Sequence, residues 1–166
     1  MNKILVIILS VAMIAIGSNA CIGENKLNLT GKEPLIKKDF QISGIRVGMP
    51  LSEVTKVLGT PKDTTIDNKK TICYYYPQLV IKSFFLEGVP DRIVDYILVK
   101  DKNIKTFRGI GIGDSKKEVI RRYGENDEIL SRLIYETHFE WVDYHAINFL
   151  ISNGKVKQIE IYLPTD

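Results

Sequence analysis

Apolar residues are spaced differently along successive stretches of the chain. Lys3 is followed by an apolar run from Ile4 to Ile16, which ends in Gly17-Ser18-Asn19-Ala20. Residues 22–34 have neither helical nor strand period and are rich in polar and turn-forming types, the pattern of a tether. Further on, Leu51, Val54 and Leu58 recur at helical spacing before a Gly59-Thr60-Pro61 stop, as do Val119, Ile120 and Tyr123 before Gly124. Ser115-x-x-Glu118 predicts a capping box in which the serine hydroxyl accepts from the Glu118 N–H and the glutamate reaches back. Pro50 occupies the matching place ahead of the earlier helix, where a missing N–H costs little. Strand patterns follow each helix: about 70–76, 79–86 and 92–100, then about 133–141, 146–152 and 155–163. Asn153-Gly154 predicts a two-residue hairpin, because both residues tolerate the positive φ of a type I′ turn. Short links between consecutive strands predict an antiparallel sheet with both helices on one face. Ile147, Phe149 and Ile151 would share a face with Ile159, Ile161 and Leu163, and Gln158, Glu160 and Tyr162 would point the other way.

The stretch from Gly44 to Gly59 recurs 65 residues later as Gly109 to Gly124. This predicts an α+β domain over residues 42–166 made of two tandem helix-plus-antiparallel-strand repeats, about 42–105 and about 106–166, sharing one sheet. The repeated motif, Gly-Ile-x-Val/Ile-Gly followed by Glu-Val and Leu/Tyr-Gly, resembles that of β-lactamase inhibitory protein-like domains. Gly48-Met49, Glu53-Val54 and Leu58-Gly59-Thr60-Pro61 also resemble the motif of the related SmpA/OmlA outer-membrane lipoproteins. The resemblance implies a curved sheet with a solvent-facing concave side, and a role in binding or envelope assembly rather than catalysis.

Residues 1–20 have the three parts of an export signal, and the thirteen-residue run Ile4 to Ile16 is short of the about 20 residues that a bilayer span needs. Cys21 directly follows the small residue Ala20, as in a bacterial lipobox, so its sulfur is the expected lipidation site and residues 21–41 the expected flexible tether. Ser18-x-Ala20 also fits ordinary signal peptidase, which leaves a free secreted domain as the alternative. Cys73 is the second of two cysteines: acylation of Cys21 leaves it unpaired, and an unmodified Cys21 would permit a bridge. Of the formal net charge of +3, removal of residues 1–20 takes away only Lys3 and leaves +2, with both signs interspersed. That balance provides no basic stripe for nucleic acid.

The candidate chemistry is thin. Gly109-x-Gly111-x-Gly113 lacks the spacing of a dinucleotide loop and any following Lys-Ser/Thr, so it reads as a turn. His138 and His145, near Glu136, Glu140 and Asp143, are too spread along a strand and turn to predict a metal site, and no hydroxyl or thiol sits in a nucleophile setting. Glu53 and Glu118 each have a local reason to stand in a first helical turn. We therefore expect no catalytic residue, cofactor or metal. Strand alternation nominates Tyr75, Lys82, Phe84, Trp141 and Tyr162 as an outward, protein-binding face. The expected function is a non-enzymatic envelope lipoprotein that engages the membrane through its N-terminal lipid and an envelope protein through this face. A secreted hydrolase inhibitor and a secreted enzyme using His138 or His145 are the alternatives.

Overall fold

The structure, a computed structural model, describes residues 31–67, 71–84, 91–126, 129, 131–138 and 144–164. A 3-10 turn at Lys37–Phe40 leads into a two-stranded hairpin, β1 (Gln41–Ile42) and β2 (Ile45–Arg46). Helix α1 (Leu51–Leu58) precedes β3 (Asp63–Asp67), β4 (Thr71–Tyr75), β5 (Leu79–Phe84) and β6 (Ile93–Val99); α2 (Lys116–Tyr123) precedes β7 (Arg132–His138), β8 (Tyr144–Ser152) and β9 (Lys155–Tyr162). The main sheet is antiparallel with strand order β3-β4-β5-β6-β9-β8-β7, so β9 returns to pair with β6 and leaves β3 and β7 at the edges.

This corrects the expected α+β architecture of two helix-plus-strand repeats. Among the described residues the protein is mostly β: one seven-stranded sheet, a two-stranded sheet and two helices of eight residues each. Eight residues make little more than two turns, enough to bury Leu51 and Val54 from α1 and Val119 and Tyr123 from α2, but not to form a layer of their own. The glycine-led segments ahead of the helices act as clips on the sheet. Gly48 N donates to Val94 O (2.7 Å) and Leu51 N to Arg92 O (2.6 Å), while Gly113 N donates to Val156 O (2.8 Å) and Lys116 N to Gly154 O (2.9 Å). Half of the predicted capping box forms: Ser115 Oγ accepts from Glu118 N at 3.1 Å, but the Glu118 carboxylate turns to Arg121 and Arg122.

Register fixes the two faces of the sheet. Tyr74, Ile81, Ile97, Ile161, Ile147 and Tyr135 lie side by side across six strands, and Leu79, Val99, Ile159, Phe149 and Leu133 form the next row. These rows, with Phe40, Ile42, Ile45, Leu51, Val54, Val119 and Tyr123, make up the core. Tyr123 packs its ring 5.0 Å from Phe149 and 5.2 Å from Tyr135, which ties α2 to this first face. The Asn153-Gly154 hairpin has φ of 52° and 69°, the left-handed pair expected of its turn. The sequence pattern missed β3, because its five residues are all exposed and carry no apolar alternation.

The expected tether lies outside the described residues up to residue 30. From Gly31 onward it is docked, and Asp39 and Phe40 are fully buried. Arg108 is 2% exposed and uses every donor of its guanidinium on this arm and the α2 end. Nε and Nη2 grip Asp39 Oδ1 and Oδ2 (2.7 and 2.9 Å), Nη2 also reaches Pro34 O (2.8 Å), and Nη1 reaches Glu33 O (3.2 Å) and Arg122 O (3.0 Å). Gly31 crosses Gly124 so closely that a Cβ on Gly31 would lie 2.2 Å from Gly124 N, and Gly31 N donates to Arg121 O at 2.8 Å.

Candidate functional site

The second face of the sheet bears side chains of another kind. Cys73, Lys82, Tyr96, Tyr162, Ala146 and Glu136 form one row across it, and Tyr75, Val80, Leu98, Glu160, Asn148 and Ile134 the next. Between β5 and β6 the register slips: Lys82 pairs with Tyr96 but Ser83 with Val94, so Asp95 is an extra residue. A bulge of this kind re-aims side chains, and here it brings two consecutive residues, Asp95 and Tyr96, to one cleft. The cleft measures about 360 Å³ and is lined by Lys82, Asp95, Tyr96, Arg132, Glu160, Tyr162 and Leu163.

Glu160 is the hub. Its Oε1 accepts from Tyr96 OH (2.8 Å) and Gln158 Nε2 (2.6 Å), and its Oε2 from Arg132 Nη1 (2.7 Å) and Asn148 Nδ2 (2.5 Å). Arg132 belongs to the edge strand β7 and reaches across β8 to make its bond. Burial works against the Glu160 charge, but the hydrogen bonds from Tyr96, Arg132 and Asn148 outweigh it and hold the carboxyl below its ordinary range. Burial, and then the hydrogen bond to Glu160, push the Tyr96 phenol far up. Burial also raises Tyr162, with Glu136 and Glu160 adding to the effect. Asp95 is raised by burial, against its own backbone hydrogen bond and the Lys82 charge, and its Oδ1 is enclosed with no hydrogen-bond partner among the described residues. The Lys82 ammonium lies over the Tyr96 ring, 4.6 Å from the centroid.

Of the residues nominated from sequence, Lys82 and Tyr162 line the cleft. Tyr75 and Phe84 share their sheet face by register, with Phe84 40% exposed and the Tyr75 hydroxyl meeting Thr65 Oγ1 at 3.3 Å. Trp141 and Cys21 lie outside the described residues. Tyr96, Asp95, Arg132 and Leu163 were not foreseen. The one signal for them was the Asp95-Tyr96 pair, which breaks apolar alternation between Val94 and Ile97. Both of those residues belong to the one core although three positions apart, a spacing that in an unbulged strand puts side chains on opposite faces.

The remaining candidates sit elsewhere. His145 is 7% exposed and packs 5.3 Å from the Phe40 ring, on the arm side of β8. The side chains of His138, Glu140 and Asp143 lie outside the description. Among the described residues no group of His, Cys, Asp and Glu is arranged to hold a metal ion, and no helix is long and apolar enough to cross a membrane. Cys73 is buried and, among the described residues, a free thiol. Glu118 is bound to its neighbouring arginines, and the 109–113 glycines form a turn in which Gly109 N donates to Thr106 O at 2.8 Å.

No family model matches the chain, and no curated protein matches it. Two solved structures are similar. A DUF4309 family protein (YjgB) from Bacillus subtilis aligns at 11% identity and a TM-score of 0.46, over 73% of this chain and 83% of that one. An extracellular protein containing an SCP domain from Bacillus anthracis aligns at 9% identity and a TM-score of 0.46, over 79% of this chain. The matched region spans about half of that second protein, 48%. Neither match links the chain to the β-lactamase inhibitory protein-like or SmpA/OmlA families.

Proposed function

We propose that the chain is a non-enzymatic, extracytoplasmic protein of the bacterial cell envelope, held to the membrane by a lipid on Cys21, and that the second sheet face is a protein-binding or assembly scaffold. The observation that carries this reading is the pre-ordered polar and aromatic cleft around Glu160, on the face opposite the one against which α1, α2 and the arm bury their apolar residues. Fixed side chains on a sheet present contact area with little rotamer entropy left to lose on binding. Glu160 is a poor general base, because such a base needs a pKa near the working pH and this carboxylate is capped by four donors. The inhibitor and histidine-enzyme readings have no comparable support: His145 is packed under Phe40.

Photo-crosslinkers placed at Lys82 or Tyr162 in intact cells test the scaffold. A defined adduct from those positions, and none from Lys155 in the exposed hairpin, is the expected result. Identical patterns from all three positions would overturn it. Mass measurement of the mature N-terminus tests the anchor, and an unmodified Cys21 would remove it.

A further inference from the structure

The cleft contains two acids and two bases, and they differ in how many of their hydrogen-bonding positions are already used. Each oxygen of Glu160 already accepts two hydrogen bonds, and Asp95 Oδ1 is enclosed. The bases keep donors to spare. Arg132, whose side chain is 37% exposed, commits only Nη1 to Glu160, and among the described residues its Nε and Nη2 have no partner. Lys82 rests on the Tyr96 ring and forms no ion pair among the described residues, and the Tyr162 hydroxyl makes no hydrogen bond there. Lys82, Tyr96 and Tyr162 are direct cross-strand neighbours, about 4.8 Å from strand to strand. The surface offered to a partner is therefore an ammonium, part of a guanidinium fork and a phenol O–H, arranged over an aromatic floor.

We propose that this cleft recognises a carboxylate, the Asp or Glu side chain of an acidic segment in a protein partner, received between Lys82 and Arg132 with the Tyr162 hydroxyl donating to it. The proposal rests on the scaffold reading above and specifies its chemistry. A side-chain carboxylate fits better than a chain terminus. Terminal carboxylates are commonly captured by clusters of backbone N–H groups, whereas here the paired backbone of β6 and β9 is committed to the ladder and only side-chain donors are presented. A guanidinium with free N–H groups suits a planar carboxylate.

The test uses the isotope-labelled full chain in detergent micelles and a short acetylated, amidated peptide with two internal glutamates. Saturable shifts at Lys82, Tyr96 and Tyr162 are expected, weakening as salt is raised. The glutamine counterpart of the peptide should not bind. Lys82→Gln should weaken binding about tenfold and Lys82→Arg should restore it, while Tyr162→Phe, which keeps the ring and the fold, should cost a few-fold. Unchanged binding in Lys82→Gln would overturn the location. Inorganic phosphate competing as well as the acidic peptide would overturn carboxylate recognition in favour of a general anion site. If the peptide does not bind while crosslinks from Lys82 and Tyr162 still form, the carboxylate inference fails and the scaffold stands. If those crosslinks are absent too, both fail.

Discussion

Arg108→Met is the most informative single change. It preserves most of the side-chain stem and removes all five guanidinium donors. Asp39 would keep one donor, the Ile36 N–H at 2.9 Å, and the carbonyls of Glu33, Pro34 and Arg122 would lose theirs. Removing one member of a buried ion pair costs roughly 3–5 kcal/mol. Against a total stability of about 5–15 kcal/mol, that is a large fraction, equivalent to roughly 10 °C in Tm for a chain of this size. Urea unfolding followed by far-ultraviolet circular dichroism measures the loss, and hydrogen exchange at residues 36–41 shows whether the arm leaves first. Replacing both partners with apolar residues, Asp39→Leu with Arg108→Met, should recover most of it. A loss under about 1 kcal/mol with the arm still protected would refute the clasp.

Gly31→Ala puts a Cβ against the Gly124 backbone and should cost about 1–3 kcal/mol as the crossing opens; undiminished exchange protection of the Gly31 amide would count against this. The Glu118 carboxyl is held at about 2 by hydrogen bonds from Arg121 chiefly, against slight burial, and then from Arg122. Its stabilisation is thus fully present above the ordinary value of 4.5 and lost as the pH falls through about 2. At this exposed position it amounts to no more than about 1 kcal/mol, and carbon-detected carboxyl titration should find the depressed midpoint. Tyr96→Phe removes one donor from ionised Glu160 and should cost about 1.5–3 kcal/mol at neutral pH. The Glu160 contribution is present above the ordinary carboxylate pKa and lost on acidification through its lowered one, so the variant's penalty should vanish at low pH. A penalty independent of pH would indicate lost packing instead.

Local patterns were legible and distant partnerships were not. Val119, Tyr123 and the Ser115 cap marked α2 because helix signals lie within a few residues of one another, and Asn153-Gly154 marked its hairpin for the same reason. The repeated motif led to an overestimate of the helical layer: it marks where each helix starts and stops, but not that two helices of eight residues leave the sheet to make up most of the fold. Alternation placed Glu160 and Tyr162 on the outward face, yet it could not show Glu160 sealed by Tyr96, Arg132 and Asn148, which come from three other strands. Asp39 and Arg108, 69 positions apart, carry no local sign of each other.

The crossing of Gly31 over Gly124 also sets a length scale. With a lipid on Cys21, only the ten residue steps from Cys21 to Gly31 separate the anchor from a fixed point on the domain, a maximum of roughly 35 Å. The docked arm thus halves the leash that the full stretch to Gln41 would provide. On that anchor, the end of α2 has a capture radius of a few nanometres above the bilayer, and a partner would itself have to be membrane-bound, or project down to that layer, to be met.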